Sequence, residues 1–355
     1  MPSLTNALRD RVLGTDLASQ TGEALGRAVR HGSEALAVRA IEELGRRPEP
    51  DARLFLEARL TDPRQAVARG AAVALGLRAD PASLPVLLRV AGRTDEGALQ
   101  LSVARVRCGG DRATETTALD ARDHRVFVTE GGSRRIAFDV PPLSERLAGA
   151  LDLPARSFDQ LVLDMKTAGR REQHVILTAL GVTGDPRALP LLVDALRATD
   201  VDPGRGFTQR RLTATAIGRL GLRAATPILT RALQDEALDF EGRPGAGMGI
   251  QYPVRTNLLW ALGEQGDPAC LPTLLSYLGN TSGSAFGGFY LAAMDALWKL
   301  GPAAEPALLT TLRTAEDTPA AHALGVLRAL GHDASPWIAD PRAGVARVAR
   351  TPLAA

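Results

Sequence analysis

Four Leu-Gly pairs recur at a near-constant interval in the second half of the chain: Leu180-Gly181, Leu220-Gly221, Leu262-Gly263 and Leu300-Gly301. Their glycines lie 40, 42 and 38 residues apart. Each pair ends an Ala/Leu-rich helical stretch and is followed by a second apolar helix. A two-helix unit of this period cannot bury its apolar face alone, and stacked copies form an α-solenoid. The expected fold is therefore all-α: helical hairpins in a right-handed superhelix.

The unit around residue 181 shows the local grammar. Val175, Ile176, Ala179 and Leu180 fall at helical spacing. Gly181 stands where a left-handed residue would end the helix. In Gly184-Asp185-Pro186, Asp185 can cap the next helix and Pro186 suits its first turn, where no N–H is needed. Leu189, Leu191, Leu192, Ala195 and Leu196 then form the expected buried side. The grammar returns at Gly266-Asp267-Pro268, more loosely at Ala225-Thr226-Pro227 and Gly301-Pro302, and earlier at Leu75-Gly76 with Asp80-Pro81. A shorter unit ends at Leu330-Gly331.

This pattern of Ala-Leu-Gly, Gly-Asp-Pro and Leu-Pro-x-Leu-Leu resembles HEAT repeats, in particular the bacterial kind related to phycobilin lyases. Leu189-Pro190-Leu191-Leu192 and Leu271-Pro272-Thr273-Leu274-Leu275 carry the resemblance most closely, and it covers roughly 35–92 and 170–332. It implies a fold and leaves the function open, because such repeats serve scaffolds, adaptors, lyases and DNA-repair proteins.

The expected organisation is N-terminal helical repeats over 1–92, a β-containing insertion over 93–142, C-terminal repeats over 143–332 and a tail over 333–355. The insertion is inferred because 105 residues separate Gly76 from Gly181. Within it, Val126 and Val128 alternate, as do Ile136 and Phe138, about Gly131-Gly132, which reads as a β-hairpin. Leu99, Leu101 and Val103 also alternate and suggest a third strand. The hairpin either bridges two halves of the array or acts as a docking flap.

Three long connections follow second helices: Asp200 to Thr208, Asp235 to Val254 and Gly279 to Phe289. Equivalent loops stack along one edge of a solenoid. Nine of the fourteen aromatics lie between Phe207 and Trp298, so the aromatic character gathers there. The candidate binding residues are Arg205, Phe207, Arg210, Arg211, Phe240, Arg243, Tyr252, Arg255, Phe286, Phe289 and Tyr290. Glycines before helix starts, with arginines beside them, suit an anion or small acid. The alternative is that the loops are plain connectors. Trp260 and Trp298, each just before a terminal Leu-Gly, read as core.

No catalytic constellation emerges. His31, His124, His174, His322 and His332 lack metal-ligand spacing, and each reads as a surface or satisfied helix histidine. Adjacent carboxylates such as Glu42-Glu43 mark no acid/base couple. Neither a metal nor a cofactor is expected. Cys108 and Cys270 stand apart, which fits a reducing compartment, and no stretch suggests a signal peptide or membrane span, so a cytoplasmic protein is expected. Lys+Arg number 42 against 40 acidic residues, a balance that ranks nucleic acid last among partners despite the run Arg205, Arg210, Arg211, Arg219 and Arg223. The leading reading is a non-catalytic scaffold for a protein or peptide. A lyase- or chaperone-like protein for a small acidic or conjugated ligand is the alternative, and a DNA-binding protein, as in HEAT-like glycosylases, comes third.

Overall fold

The computed structural model describes residues 17–135, 140–152, 156–197, 203–235, 254–281 and 289–352, with backbone only at 170, 171 and 203–208. Helices dominate, and the one described sheet is a two-stranded hairpin. In chain order the elements open with α1 Gly22–His31, α2 Glu34–Arg46, α3 Pro50–Glu57, α4 Gln65–Arg78, α5 Leu84–Leu87, α6 Asp95–Arg107 and α7 Arg112–Asp123. The hairpin β1 Val126–Thr129 and β2 Gly132–Arg135 follows. Then come α8 Leu143–Asp152, α9 Phe158–Met165, α10 Arg170–Thr183, α11 Ala188–Arg197, α12 Pro203–Leu220 and α13 Thr226–Leu233. The last are α14 Val254–Gln265, α15 Leu271–Ser276, α16 Phe289–Leu300, α17 Glu305–Thr314, α18 Asp317–Ala329 and α19 Ala343–Arg350.

Local chemistry sets the helix boundaries. The hydroxyls of Thr21, Ser33 and Thr94 accept N–H bonds from Ala24, Leu36 and Gly97 and so cap α1, α2 and α6. In the Asp-Pro turns, Asp80, Asp185 and Asp267 each accept from the backbone N–H two residues on, at 3.0, 2.9 and 3.1 Å. The capping expected of Asp185 is therefore present.

The helix C-termini differ from the sequence reading. Gly181 lies inside α10, and the left-handed residue is Gly184 at φ 69°. Likewise Gly263 is interior to α14, and Gly266 turns at φ 60°. Gly221 and Gly301 do turn, at 61° and 59°. The recurring Leu-Gly glycines therefore do two jobs.

The second job is close helix packing. A Cβ on Gly45 of α2 would lie 2.8 Å from Ala74 Cβ of α4, and one on Gly76 of α4 would lie 3.0 Å from Ala104 Cα of α6. The same holds for Gly218 of α12 against Ala261 Cα of α14 at 3.0 Å, and for Gly263 of α14 against Ala296 Cα of α16 at 2.7 Å. Each of these four helices seats a glycine on an alanine of the next. This lets backbones approach more closely than larger side chains would allow.

Leu99, Leu101 and Val103 correct the third-strand expectation, because all three lie in α6. That helix is buried around most of its circumference over residues 95–104, so its apolar residues show no helical stripe and mimic alternation. The hairpin itself is present. Val126 pairs with Arg135 and Thr129 with Gly132, which places the turn at Glu130-Gly131. Ile136 and Phe138 lie outside the described residues. Pro203 to Thr208, expected as a loop, forms the opening of α12, with proline at its first position. In α10, Ile176 and Leu180 are buried while Val175 is exposed, and in α11 the buried line runs through Ala188, Leu192 and Leu196 rather than Leu191.

The chain forms two compact units that interleave in sequence. One comprises 1–120, 141–191 and 219–223; the other comprises 121–140, 192–218 and 224–355. In the first, the inner helices α2, α4 and α6 stack in order, and buried arginines satisfy the segment 219–223. Arg69 donates to the Arg219 carbonyl at 2.6 Å and to that of Leu220, which supplies partners for the carbonyls at the end of α12. The Arg223 N–H donates to Glu34 at 2.8 Å. Burial pushes the Glu96 carboxyl up, but Arg146, Arg219 and Arg69 together hold it below the usual carboxylate range.

In the second unit, α14, α16 and α18 stack as inner helices against α13, α15 and α17. Lys299 is wholly buried, with its Nζ 3.0 Å from Glu264 and 2.8 Å from Asp295. Arg125, just before the hairpin, also holds Asp295, at 2.5 Å. Trp260 is buried as expected, and Trp298 is half-buried with its indole N–H donating to the Ala329 carbonyl.

Candidate functional site

The left-handed residues define a repeat register. Arg210, Arg255 and Tyr290 each lie eleven residues before one of them, namely Gly221, Gly266 and Gly301. They therefore hold one equivalent position on the three successive inner helices α12, α14 and α16. All three are among the candidate binding residues, but the Leu-Gly pairs do not reveal their equivalence, because Gly263 and Gly301 hold different places in their repeats. Glu264 and Lys299 share another register position, two residues before Gly266 and Gly301, and this brings them together across α14 and α16.

Around this file the described side chains are engaged. Arg210 pairs with Asp235 at 2.6 Å. Arg211 is half-buried in α12. The Arg255 guanidinium lies over the Phe289 ring, 5.7 Å from its centroid, and Tyr277 meets the same ring edge-on at 6.5 Å. Phe289 begins α16 and is buried, so it anchors the helix start beneath the edge. The Tyr277 hydroxyl reaches the Leu233 carbonyl and links α15 to α13. Arg205 and Phe207 belong to the first turns of α12, and their side chains lie outside the described residues, as do Phe240, Arg243, Tyr252 and Phe286.

Tyr290 stacks flat on His322 of α18, with ring centroids 4.1 Å apart. Burial raises the Tyr290 phenol, and Glu130 adds to the shift, against the opposing pull of Arg134 and of the contact with Thr129. His322, which the sequence reading took as a surface or satisfied residue, is buried and sits against the hairpin turn. One sequence signal pointed to it: it precedes the Ala323-Leu324-Gly325 triplet, so it lies on an inner face. Cys270 is buried and its thiol is pushed up to about 12, chiefly by burial, so it is no nucleophile near neutral pH. Among the described residues, no group of three or more His, Cys, Asp or Glu side chains could hold a metal ion. No described helix is long and apolar enough to cross a membrane.

Stacked helical hairpins with glycine-on-alanine seats between inner helices define an α-solenoid, a class in which equivalent side chains line up along an extended surface. Residues 23–106 match the family of HEAT repeats, and residues 254–280 match the PBS lyase HEAT-like repeat. The first half of the chain thus carries HEAT repeats, and its second half carries a repeat of the phycobilin-lyase-like type. Among curated proteins, no sequence matches it.

Proposed function

We propose that the chain is a non-catalytic binding protein that holds a protein or peptide partner along the edge around residues 200–290. The observation behind this reading is the file of Arg210, Arg255 and Tyr290 at one register position on three successive inner helices. Arginine and tyrosine are the side chains that most often dominate binding energy at interfaces. In sequence, the segments 236–253 and 282–288 immediately precede α14 and α16 and contain Phe240, Arg243, Tyr252 and Phe286. HEAT repeats as a class act as scaffolds and interaction surfaces, which supports the same reading.

A second reading concerns a small acidic or conjugated ligand. The match to the PBS lyase HEAT-like repeat covers α14 and α15, in the middle of this edge, and Arg255 lies within it.

The test is native mass spectrometry of the full chain, followed by affinity capture with the wild type and with Arg210→Ala/Arg255→Ala. A partner polypeptide captured by the wild type and weakened about tenfold or more in the double variant supports the edge. A small mass released on denaturation, lost in the same variant, would replace the partner reading with the ligand reading. Undiminished capture by the variant would remove the edge from both.

A further inference from the structure

Gly325 of α18 follows Ala323-Leu324, as Gly263 follows Ala261-Leu262 and Gly76 follows Ala74-Leu75. In α4 and α14 this glycine receives an alanine of the next inner helix. In α18 it receives the backbone carbonyl of Val128, with the Met294 methyl 2.8 Å from where a Cβ would be. The hairpin backbone is therefore seated directly on α18 at Gly325. Phe127 and Val128 are buried there. At the rim of that seat, Arg347 of α19 donates to the Glu130 carbonyl at 2.9 Å, and the Thr318 hydroxyl reaches the Glu130 carboxylate.

Under the turn lies His322, 1% exposed. Its Nδ1 is 2.6 Å from the Leu278 carbonyl. A carbonyl only accepts, so Nδ1 carries the hydrogen and the neutral ring presents a bare Nε2. That Nε2 lies 3.8 Å from Glu130 Oε2, and neither atom has a hydrogen-bond partner among the described residues. Two acceptors thus face each other beyond hydrogen-bond reach.

We propose that His322 is a proton-operated release for the hairpin, which stays seated on α18 while the imidazole is neutral and is freed when it is protonated. Charging the ring in place would bury an imidazolium whose nearest carboxylate is too distant to bond, whereas lifting the turn lets water reach Nε2. The groups facing the ring are Glu130 from the hairpin and Tyr290 from α17's neighbour α16. Leu278 offers only its carbonyl, and Arg134 and Arg347 lie one contact further out. Tyr290 is neutral throughout this range because burial raises it. Burial outweighs the Leu278 bond and the Glu130 charge and holds His322 below its ordinary value. The lifted state, with a hydrated ring, titrates near ~6.5 and binds protons first as pH falls. Seating is therefore complete above that value and weakens as pH drops towards the depressed one.

The test is hydrogen exchange of residues 126–135 in the full chain, from about pH 8 to about pH 5, corrected for the intrinsic rate. Protection of the hairpin in the wild type is expected to fall by up to about tenfold per pH unit below ~6.5, the limit for one proton. Segments of α14 should keep theirs, which separates release from unfolding. His322→Gln, which cannot titrate, should abolish that dependence. Glu130→Gln supplies an amide donor facing Nε2 and should raise hairpin protection near neutral pH, an outcome that does not require His322→Gln to fold. Protection that holds or rises in acid in the wild type overturns the proposal. So does a wild-type profile in His322→Gln, or lower neutral-pH protection in Glu130→Gln.

Discussion

At residue scale, two kinds of position carry the stack, one that tolerates no added atom and one that tolerates no lost charge. Gly263 would place a Cβ 2.7 Å from a backbone atom of α16, so Gly263→Ala must push two inner helices apart. Overpacking of this kind costs about 1–3 kcal/mol, more than the ~1 kcal/mol of helix propensity that alanine gains. Gly149 in α8 has nothing within 4 Å of its Cβ position, so Gly149→Ala keeps the propensity gain alone. Urea unfolding should show a lower midpoint for Gly263→Ala and an equal or higher one for Gly149→Ala. Equal shifts in the two variants would refute the packing role. Lys299 is the other kind. Its ammonium holds Glu264 and Asp295 where no water reaches, and Lys299→Met leaves the Glu264 carboxylate buried beside a thioether. Breaking such a pair from one side costs about 3–5 kcal/mol. Lys299→Met/Glu264→Gln should recover part of that loss, and the double-mutant cycle measures the coupling. Additive losses would mean that the two side chains do not act together.

At element scale, the helices and turns were legible where a side chain meets its own backbone. The Asp-Pro turns at 80, 185 and 267 follow from such local chemistry, and the structure holds them; the hairpin is present too, but it turns at Glu130-Gly131, one residue before the expected Gly131-Gly132. Where burial on several sides replaces a helical stripe, the local signal fails. Helix α6 read as strand because its polar residues Glu96 and Ser102 are also buried, Glu96 by Arg146 and Ser102 by Glu115. The cap glycines were misplaced for a related reason. Gly263 is fixed by the spacing to a neighbouring helix, which is a tertiary demand that no single unit displays. The candidate edge was visible as composition, as a cluster of arginines and aromatics. The file of Arg210, Arg255 and Tyr290 becomes visible only once Gly221, Gly266 and Gly301 set the register.

At the scale of the whole molecule, chain order and compact units do not coincide. The hairpin segment 121–140 belongs with residues 192–218 and 224–355, while 219–223 belongs with the N-terminal helices. A cut within 198–202 therefore leaves each unit built from both pieces. The N-terminal piece carries Phe127 and Val128, whose buried surroundings lie in the other piece, and it lacks the Arg219 and Leu220 carbonyls that Arg69 holds. Expressed alone, residues 1–197 lose the Arg219 and Leu220 carbonyls on Arg69 and the Arg223 N–H on Glu34, hydrogen bonds whose loss costs about 1–3 kcal/mol each. That fragment should unfold at lower urea than the intact chain. By contrast, a full chain with a protease site inserted at 198–202 folds before it is cut, and after cleavage both pieces should co-elute in native size exclusion and part only in denaturant. Separation of the pieces in native buffer would show that the segments 121–140 and 219–223 contribute little to the units they join, and the hairpin's seat on Gly325 would then be a weak contact.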